Sequence, residues 1–472
     1  MSEPNVVMIV LDTVRARNLS CYGYERKTTP NLEAMDLIKF NKAFAPANAT
    51  VPSHASLFTG SYRSIHQTTF DNKILNSDLP TLAERLSAAG YQTLGFSNNI
   101  HVSSHFEFNR GFDKLELNKG AYGEPFGGVP LQLIRQNIEG ETVPERFLDV
   151  IQYVSDSNRS LSRTTASWLY KKATEAGIVQ RGDRGAQSAL EFLKTSVPAD
   201  DEPFFTFFNL MEGHMPFLAP DEYLNRFDPS VERNIWGDYE GLHEQTVSDS
   251  DRIVEGLLDK YDGCISYLDE MVSRMIDVLR EQDVLDETYV FILSDHGEAF
   301  GEHEIYGHSG GLYNEITHVP LLVRPPGGAD KEEIEYPVSV QWVMPTILHE
   351  LGIDIPDSCV DQHLFEQPET PVIFESSGLG IDADHPSIER FFEEMIGAIH
   401  NGQKLNSGET WEELYSLSDQ KEKNPLSEKH NIDTVIESEL SKYEKTKRRT
   451  TYSDQELTSR TQEQLRKLGY MR

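Results

Sequence analysis

Cysteines and long apolar runs are both scarce in this sequence. The three cysteines, Cys21, Cys264 and Cys359, lie far apart, so they form neither a disulfide framework nor a CxxC metal pair. No segment approaches the ~18 consecutive apolar residues that a membrane-spanning helix needs. The N-terminus lacks the basic region and cleavage site of a signal peptide, and its short apolar run ends at Asp12. We therefore expect a cytoplasmic protein without a membrane partner.

Basic residues are few relative to acidic ones. With 43 Lys+Arg against 77 Asp+Glu, the formal net charge is -34, so a nucleic-acid partner is not expected because its phosphates would be repelled. The acids are spread along the chain, which favours a solvating surface, as in proteins from a salt-rich cytoplasm, over a specific basic partner. An anionic substrate would need a local cation in this field, which indicates a bound metal.

The apolar segments alternate with segments of helical periodicity. Residues 6–11 form a continuous apolar run, typical of a strand that is covered on both faces. The alternation predicts an α/β domain with a large, mainly parallel sheet flanked by helices. The further predicted strands are Gln92–Ser97, Pro203–Leu210, Tyr289–Leu293 and Val319–Val323, and the predicted helices are Leu79–Ala89, Gly185–Leu193 and Arg252–Gln282.

A second, smaller unit is predicted at the C-terminal end, where the sequence becomes more polar. We predict a catalytic domain over residues 1–368 and a C-terminal α+β subdomain over residues 369–472. The subdomain has predicted strands at Pro371–Phe374 and Met395–His400 and a charged helical tail that includes Gln464–Leu468.

Two irregular segments, Gly120–Arg184 and Ala219–Asp251, interrupt the alternating pattern. We interpret them as insertions on the scaffold, where residues that determine substrate specificity are often found. Plain surface decoration is the alternative, and the sequence favours neither.

Two aspartates and a histidine follow predicted strands. Asp12 comes at the end of the first strand, and Asp295 and His296 follow a later one. Because the carboxyl ends of parallel strands line one edge of a sheet, these side chains can converge. Neighbouring carboxylates repel each other without a metal, so the set predicts a divalent-cation site. For Asp12 taken alone, capping the next helix is the competing interpretation.

Thr50 precedes Val51, Pro52 and a run of small residues. Proline is preferred in the first helical turn, which predicts Thr50 at the N-cap of a helix. Capping is one interpretation of this threonine. The other is nucleophilic, because a hydroxyl at a helix N-terminus lies beside a natural anion site and a neighbouring metal would lower its pKa.

At these residues the sequence resembles the sulfatase family of the alkaline phosphatase superfamily. The family's nucleophile motif, C/S-x-P-S-R-x-x-L-x-T-G, stands here as Thr50–Gly60. The strongest match is Ser294–His303 followed by Tyr306-Gly307-His308, and the landmarks keep the family's order from Asn5 to about Asn424. The other landmarks are Leu11-Asp12-Thr13, Cys21–Tyr24, Thr29–Leu32, Arg110–Asp113, Glu212–Phe217, Tyr261–Asp269, Val319–Leu321 and Glu413–Leu417.

The resemblance implies the alkaline phosphatase/sulfatase-like fold and one divalent metal ion. Its ligands would be Asp12, Asp295 and His296, with Thr50 bridging as nucleophile. Oxygen ligands with one imidazole suit manganese, magnesium or calcium, and zinc is a further candidate. No organic cofactor is implied.

The resemblance also assigns three more histidines. His214 would contact the non-bridging oxygens or the leaving group of the ester, and His308 stands near the position where many sulfatases place a lysine. His54 replaces the arginine of the nucleophile motif, and Thr13 occupies the place of a second ligating aspartate, so that ligand is expected to be lost. Without the resemblance, His214 and His308 would be interpreted as structural or surface residues.

Departures from the family decide the expected chemistry. Sulfatases convert a cysteine or serine to an aldehyde whose hydrate attacks sulfur, and threonine would give only a ketone. The family's lysine-and-histidine pair reads Ser97-Asn98-Asn99-Ile100-His101 here, without lysine.

A threonine nucleophile resembles the superfamily's phosphoesterases and phosphoglycerol transferases instead. We therefore expect a hydrolase of small phosphoric or sulfuric esters, with phosphoesters favoured. The alternatives are a phosphoryl or phosphoglycerol transferase, a true sulfatase, and an inactive metal-binding scaffold.

Overall fold

The computed structural model describes most of the chain. It covers residues 3–118, 182–198, 202–228, 250–378, 389–426 and 432–446, except Phe70, Ser77, Ser309 and Phe392. It also covers four isolated residues, Ser162, Thr165, Ala166 and Leu169. Most of the two expected insertions and the charged tail with Gln464–Leu468 lie outside these residues.

Seventeen strands occur in the described part of the chain. They are β1 Asn5–Leu11, β2 Ile38–Phe40, β3 Ala43–Phe44, β4 Gln92–Ser97, β5 Lys114–Leu117, β6 Phe204–Leu210, β7 Thr288–Leu293, β8 Ala299–Phe300, β9 Tyr306–Gly307, β10 His318–Val319, β11 Leu321–Arg324, β12 Glu332–Ile334, β13 Val338–Ser339, β14 Val372–Ser376, β15 Met395–His400, β16 Gln403–Ser407 and β17 Glu412–Ser416.

The same residues form ten α-helices. They are α1 Pro30–Ala34, α2 Thr50–Thr59, α3 Arg63–His66, α4 Leu82–Ala88, α5 Ala186–Ser196, α6 Asp221–Leu224, α7 Ser250–Glu281, α8 Asn314–Thr317, α9 Val343–Glu350 and α10 Thr434–Thr446.

The main sheet has eight strands in the order β12-β2-β11-β7-β1-β6-β4-β5. Of its seven strand pairings, only those of β11 with β2 and with β7 are antiparallel. The expectation of a large, mainly parallel sheet is therefore confirmed. In this order the carboxyl ends of β7, β1, β6 and β4 lie side by side.

Helices cover both faces of this sheet, which explains why β1 is apolar throughout. Its side chains alternate between two cores: Val6, Met8 and Val10 pack with α2 and α9, whereas Val7, Ile9 and Leu11 pack with α5 and α7. A strand buried on both faces carries no polar alternation.

One predicted strand is wrong in detail. The run Val319–Val323 is divided at Pro320 into β10, which pairs with β3, and β11, which joins the main sheet. Proline has no N–H to donate to a ladder, so the pairing changes partner there. The helix predicted from Leu79 begins only at Leu82, because Thr81 and Glu84 form a capping box at its start.

A smaller antiparallel sheet, β14-β15-β16-β17, follows the main domain. It includes both predicted C-terminal strands, and its outer face packs on Ile436 of α10. Lys404 of β16 reaches back to the main domain, where its Nζ donates to Asn314 and Thr317 and pairs with Glu422 at 2.9 Å.

None of the helices in the described segments combines the length and the apolar character needed to cross a membrane.

Candidate active site

Asp12 lies at the carboxyl end of β1 and is fully buried. Its Oδ2 accepts hydrogen bonds from the side-chain amides of Asn99 and Asn209, at 3.0 and 3.2 Å. Its Oδ1 has no hydrogen-bond partner among the described residues. Burial, together with the charge of Asp295, raises the pKa of Asp12 to about 7. Asp12 Oδ1 is therefore available as a ligand for a cation.

Asp295 follows β7, beside β1 in the sheet, and is also buried. Its Oδ1 accepts the backbone N–H groups of Thr13 and His296. Its Oδ2 has no hydrogen-bond partner in the described part of the chain. Burial alone would raise the pKa of Asp295, but the neighbouring His296 and His54 rings outweigh burial and lower that pKa.

His296 connects the carboxylates to Thr50. Its Nδ1 lies 2.9 Å from the carbonyl oxygen of Gly297 and donates to it, so Nε2 keeps its lone pair. That Nε2 lies 3.1 Å from Thr50 Oγ1 and 3.4 Å from Asp295 Oδ2. Burial lowers the pKa of His296 to about 4, which keeps the ring neutral at pH 7.

These residues fit a divalent cation. One ligand atom from each of Asp12, Asp295 and His296 lies within 4.8 Å of the others. Two of these side chains present buried carboxylate oxygens without a donor, and the third presents an unprotonated ring nitrogen. Unpaired buried carboxylates are costly unless a cation compensates them.

Thr50 is the first residue of α2, and the N-cap is Ala49. The predicted N-cap position of Thr50 is therefore wrong by one residue. Instead of capping a backbone N–H, the Thr50 hydroxyl faces His296. The helix is held against the site by Ser53, whose Oγ donates to the carbonyl oxygen of Asp295 at 2.6 Å.

His54 lies behind the carboxylates and not on the Thr50 hydroxyl. Its Nδ1 is 2.9 Å from the carbonyl oxygen of Thr50 and 3.4 Å from Asp295 Oδ2. Its Nε2 is 3.3 Å from the side-chain amide of Asn209. Burial lowers its pKa, but Asp295 and Asp12 outweigh burial and raise it. His54 is therefore a neighbour of the Asp295 carboxylate and not a contact of the Thr50 hydroxyl.

His214 and His308 come together on the other side of His296. The ring of His308 lies 4.5 Å from that of His296 and 5.2 Å from that of His214, between ring centres. Burial opposes protonation of His308, but Glu298, 3.4 Å from Nδ1, outweighs it and raises the His308 pKa. Burial and the charge of His308 lower the pKa of His214. Protonation is thus favoured on His308 over His214.

Several residues that support the site were not found from the sequence. Asn209 and Asn99 hold Asp12, Glu298 holds His308, and Arg184 donates from one guanidinium nitrogen to the carbonyl oxygens of His214 and Met215. No sequence signal marks Arg184, because its partners lie about thirty residues further along the chain.

The site thus combines a buried hydroxyl, an imidazole and two carboxylates at the carboxyl edge of an α/β sheet. These groups are typical of the active site of a metal-dependent hydrolase. Comparison with known proteins defines the class further. The family model described as Sulfatase matches residues 4–353. The chain belongs to the sulfatase family, and it is an ester hydrolase of the sulfatase type.

Curated relatives are distant in sequence. The chain is 24% identical over 375 residues to the uncharacterized sulfatase YidJ of Escherichia coli (strain K12), covering 76% of this chain and 69% of that protein. It is 24% identical over 388 residues to the arylsulfatase of Clostridium perfringens (strain 13 / Type A), covering 75% and 76%.

Solved structures share the fold. The phosphonate monoester hydrolase SpPMH from Silicibacter pomeroyi superposes with a TM-score of 0.68 at 18% identity, covering 96% of this chain and 97% of that one. The phosphonate monoester hydrolase of Agrobacterium radiobacter gives a TM-score of 0.64 at 19% identity, with 94% of each chain covered. The expected alkaline phosphatase/sulfatase-like fold is confirmed.

Proposed function

We propose that this protein hydrolyses small phosphoric or phosphonic esters in preference to sulfuric esters, with Thr50 as the nucleophile and a divalent cation held by Asp12, Asp295 and His296. The observation that carries the proposal is the 3.1 Å approach of Thr50 Oγ1 to His296 Nε2, beside two carboxylate oxygens that have no hydrogen-bond partner among the described residues.

The threonine side chain favours phosphorus chemistry. Its Cβ bears a methyl group, so oxidation gives a ketone and not the aldehyde whose hydrate sulfatases use. The hydroxyl itself is the available nucleophile, and a bound cation would lower its pKa and offset negative charge on the transferring group. Within the described residues, the hydrogen-bond and ion-pair partners of Thr50 and the three ligands include no lysine or arginine.

The residues of the chain divide the reaction into two steps. Thr50 Oγ1 releases its proton to solvent and forms a bond to phosphorus while the bond from phosphorus to the leaving oxygen breaks. Charged His308, held by Glu298, gives a proton to that leaving oxygen, and His214 binds a non-bridging oxygen. Water then attacks phosphorus, the bond from phosphorus to Thr50 Oγ1 breaks, and a proton of that water restores the Thr50 hydroxyl as the phosphate or phosphonate product leaves. His308 regains its proton from solvent.

A panel of nitrophenyl esters tests the proposal. Purified protein with Mn²⁺ is assayed on 4-nitrophenyl phosphate, bis(4-nitrophenyl) phosphate, 4-nitrophenyl phenylphosphonate and 4-nitrophenyl sulfate. We expect at least one phosphorus ester to exceed the sulfate ester by about tenfold or more in kcat/KM, a difference of ~1.4 kcal/mol in transition-state binding. Preference for the sulfate ester would contradict the assigned chemistry.

A matched pair of variants separates the cation site from general effects of losing a carboxylate. Asp295→Asn removes a proposed ligand, whereas Asp269→Asn removes a buried carboxylate that accepts the backbone N–H groups of Asn31 and Leu32 in α1. We expect Asp295→Asn alone to abolish Mn²⁺ binding and turnover. If Asp295→Asn binds and turns over like the wild type, the proposed site is wrong.

A further inference from the structure

The turn after β1 contains an unusual backbone conformation. Thr13, between Asp12 and Val14, has φ of 59°, in the left-handed region that β-branched residues avoid. Such strain persists only where surrounding contacts enforce it, and it concentrates at functional sites. Thr13 lies beside a proposed metal ligand, Asp12, so the contacts that enforce this turn act directly on the proposed cation site.

The turn determines which oxygen of Asp295 is left without a partner. The left-handed conformation directs the Thr13 N–H towards Asp295 Oδ1, 3.2 Å away, where the His296 N–H also donates at 3.0 Å. Both donors meet the same oxygen. Oδ2 therefore accepts neither N–H and lies 3.4 Å from both His296 Nε2 and His54 Nδ1. An extended Thr13 would withdraw its donor and leave the His296 N–H as the one backbone donor of these two on Oδ1.

The hydroxyl of Tyr261 bridges this turn. It donates to the carbonyl oxygen of Thr13 at 2.8 Å and accepts the N–H of Arg15 at 2.9 Å. Tyr261 belongs to α7, is fully buried and packs against the rings of Phe217 and Phe300, with ring centres 5.5 and 5.1 Å away. The hydroxyl is thus fixed in position by a long helix that contributes no metal ligand.

We propose that Tyr261 is a positioning residue for the cation site, holding the strained turn at Thr13 so that Asp295 presents Oδ2 to the metal. The inference rests on the proposed function in one respect, that Asp295 is a ligand. It adds that a residue outside the site sets the affinity of the site.

Mn²⁺ titration of the metal-free protein by calorimetry tests the role of the hydroxyl. Tyr261→Phe removes only the bridging oxygen, and we expect Mn²⁺ affinity to fall about 10- to 100-fold, the usual effect of losing a group that orients a ligand. Saturating Mn²⁺ should restore most of the turnover. Affinity within about twofold of the wild type would overturn the proposal.

The matched control is Tyr22→Phe. The Tyr22 hydroxyl also binds backbone groups, the carbonyl oxygens of Phe40 and Leu321 and the N–H of Leu321, but it lies away from the site. A purely structural role of Tyr261 would give both variants the same loss of thermal stability and neither a loss of affinity. That result would also overturn the proposal.

Relief of the strain gives a second, independent readout. Glycine adopts positive φ without steric cost. With Thr13→Gly, the turn therefore depends less on the hydrogen bonds of the Tyr261 hydroxyl to keep its left-handed conformation. We expect the double variant Thr13→Gly/Tyr261→Phe to recover Mn²⁺ affinity relative to Tyr261→Phe alone, to within about threefold of the wild type. If the single variant does not fold, the double variant carries the test, and a folded double variant that fails to bind Mn²⁺ overturns the proposal.

The two proposals fail in different ways. A wild-type protein that binds no Mn²⁺, or an Asp295→Asn variant that binds it normally, overturns the cation site and the role of Tyr261 with it. Normal binding by Tyr261→Phe, while Asp295→Asn binds none, overturns only the role of Tyr261.

Discussion

The hydroxyl of Thr50 and Nε2 of His296 lie 3.1 Å apart, although 246 residues separate them in the chain. Two independent elements make this contact: the first turn of α2 and the loop after β7. The bond from His296 Nδ1 to Gly297 fixes which ring nitrogen faces the hydroxyl. The contact therefore joins the proposed nucleophile to a proposed metal ligand in a defined tautomer.

Removing the Thr50 hydroxyl should abolish turnover. Thr50→Val keeps the shape of the side chain, and we expect kcat/KM to fall by about a thousandfold or more because no nucleophile remains. Thr50→Ser keeps the hydroxyl and should stay within about tenfold of the wild type. Intact-mass measurement after rapid quenching should detect a phosphoryl adduct in the wild type and not in Thr50→Val. Undiminished activity of Thr50→Val would exclude Thr50 as nucleophile.

Loss of the Arg184 side chain should impair substrate handling without affecting the cation. Its guanidinium holds the carbonyl oxygens of His214 and Met215, so Arg184→Met should release the loop that carries His214 and lower kcat/KM about tenfold. Mn²⁺ affinity should not change.

A suitable control for Arg184 is Arg110→Met. Arg110 likewise donates to two backbone carbonyl oxygens, those of Asn76 and Leu79, but it holds no proposed site residue. Equal losses of kcat/KM in the two variants would show that Arg184 acts only through general stability.

The ion pair of Lys404 and Glu422 should be a major determinant of stability. The two side chains are 1% and 0% exposed, so Lys404→Met leaves a buried carboxylate without its cation and should lower the free energy of unfolding by about 3–5 kcal/mol. Replacing both residues, as in Lys404→Met/Glu422→Leu, should cost less than the single change. Urea denaturation measures each value.

An exposed ion pair provides the comparison for Lys404. The Lys442 side chain is 65% exposed and pairs with Glu439. Lys442→Met disrupts this pair and should change the free energy of unfolding by about 0.5 kcal/mol or less. A loss of that small size in Lys404→Met would contradict the assigned importance of the buried pair.

Glu212 should make stability depend on pH. Burial, reinforced by the charge of Asp183, raises the pKa of Glu212 from 4.5 to about 8. Because the folded pKa exceeds the unfolded value, its contribution to stability is fully present below about pH 4.5 and is lost as pH rises towards 8. Glu212→Gln can accept the same backbone bonds from Arg184 and Ala186 without a charge.

The measurement for Glu212 is a comparison of unfolding free energies at pH 5 and pH 9. The wild type should lose stability relative to Glu212→Gln between these values. Glu255→Gln, which removes an exposed acid of α7, should show no such divergence. A constant difference between wild type and Glu212→Gln across this range would argue against the raised pKa.

The sequence was sufficient to predict the convergence of Asp12, Asp295 and His296, because each follows an apolar strand and parallel strands present their carboxyl ends at one edge. The predicted helix Arg252–Gln282 corresponds to α7, Ser250–Glu281, and its predicted first residue differs from the observed one by two positions. The family resemblance, and not residue spacing, brought His214 and His308 to the site, and the structure places their rings 5.2 Å apart.

What the sequence did not reveal are contacts that depend on side-chain direction. Tyr261 occupies one turn of a periodic helix, and no pattern distinguishes a tyrosine that fills the core from one whose hydroxyl bridges Thr13 and Arg15. The left-handed backbone at Thr13 was equally hidden, since threonine is not a residue that predicts positive φ. The predicted domain boundary at residue 369 stays a prediction.

The position of β1 between β6 and β7 has a consequence for biosynthesis. This first strand leaves the ribosome long before either neighbour has been translated. Its backbone N–H and C=O groups can pair with β6 and β7 only after those strands have been synthesised. Until β7 and the residues after it have been translated, neither the sheet nor the proposed cation site, which includes Asp295 and His296, can be completed. Completion of the main sheet therefore depends on β7, β11 and β12, which are translated after its other five strands.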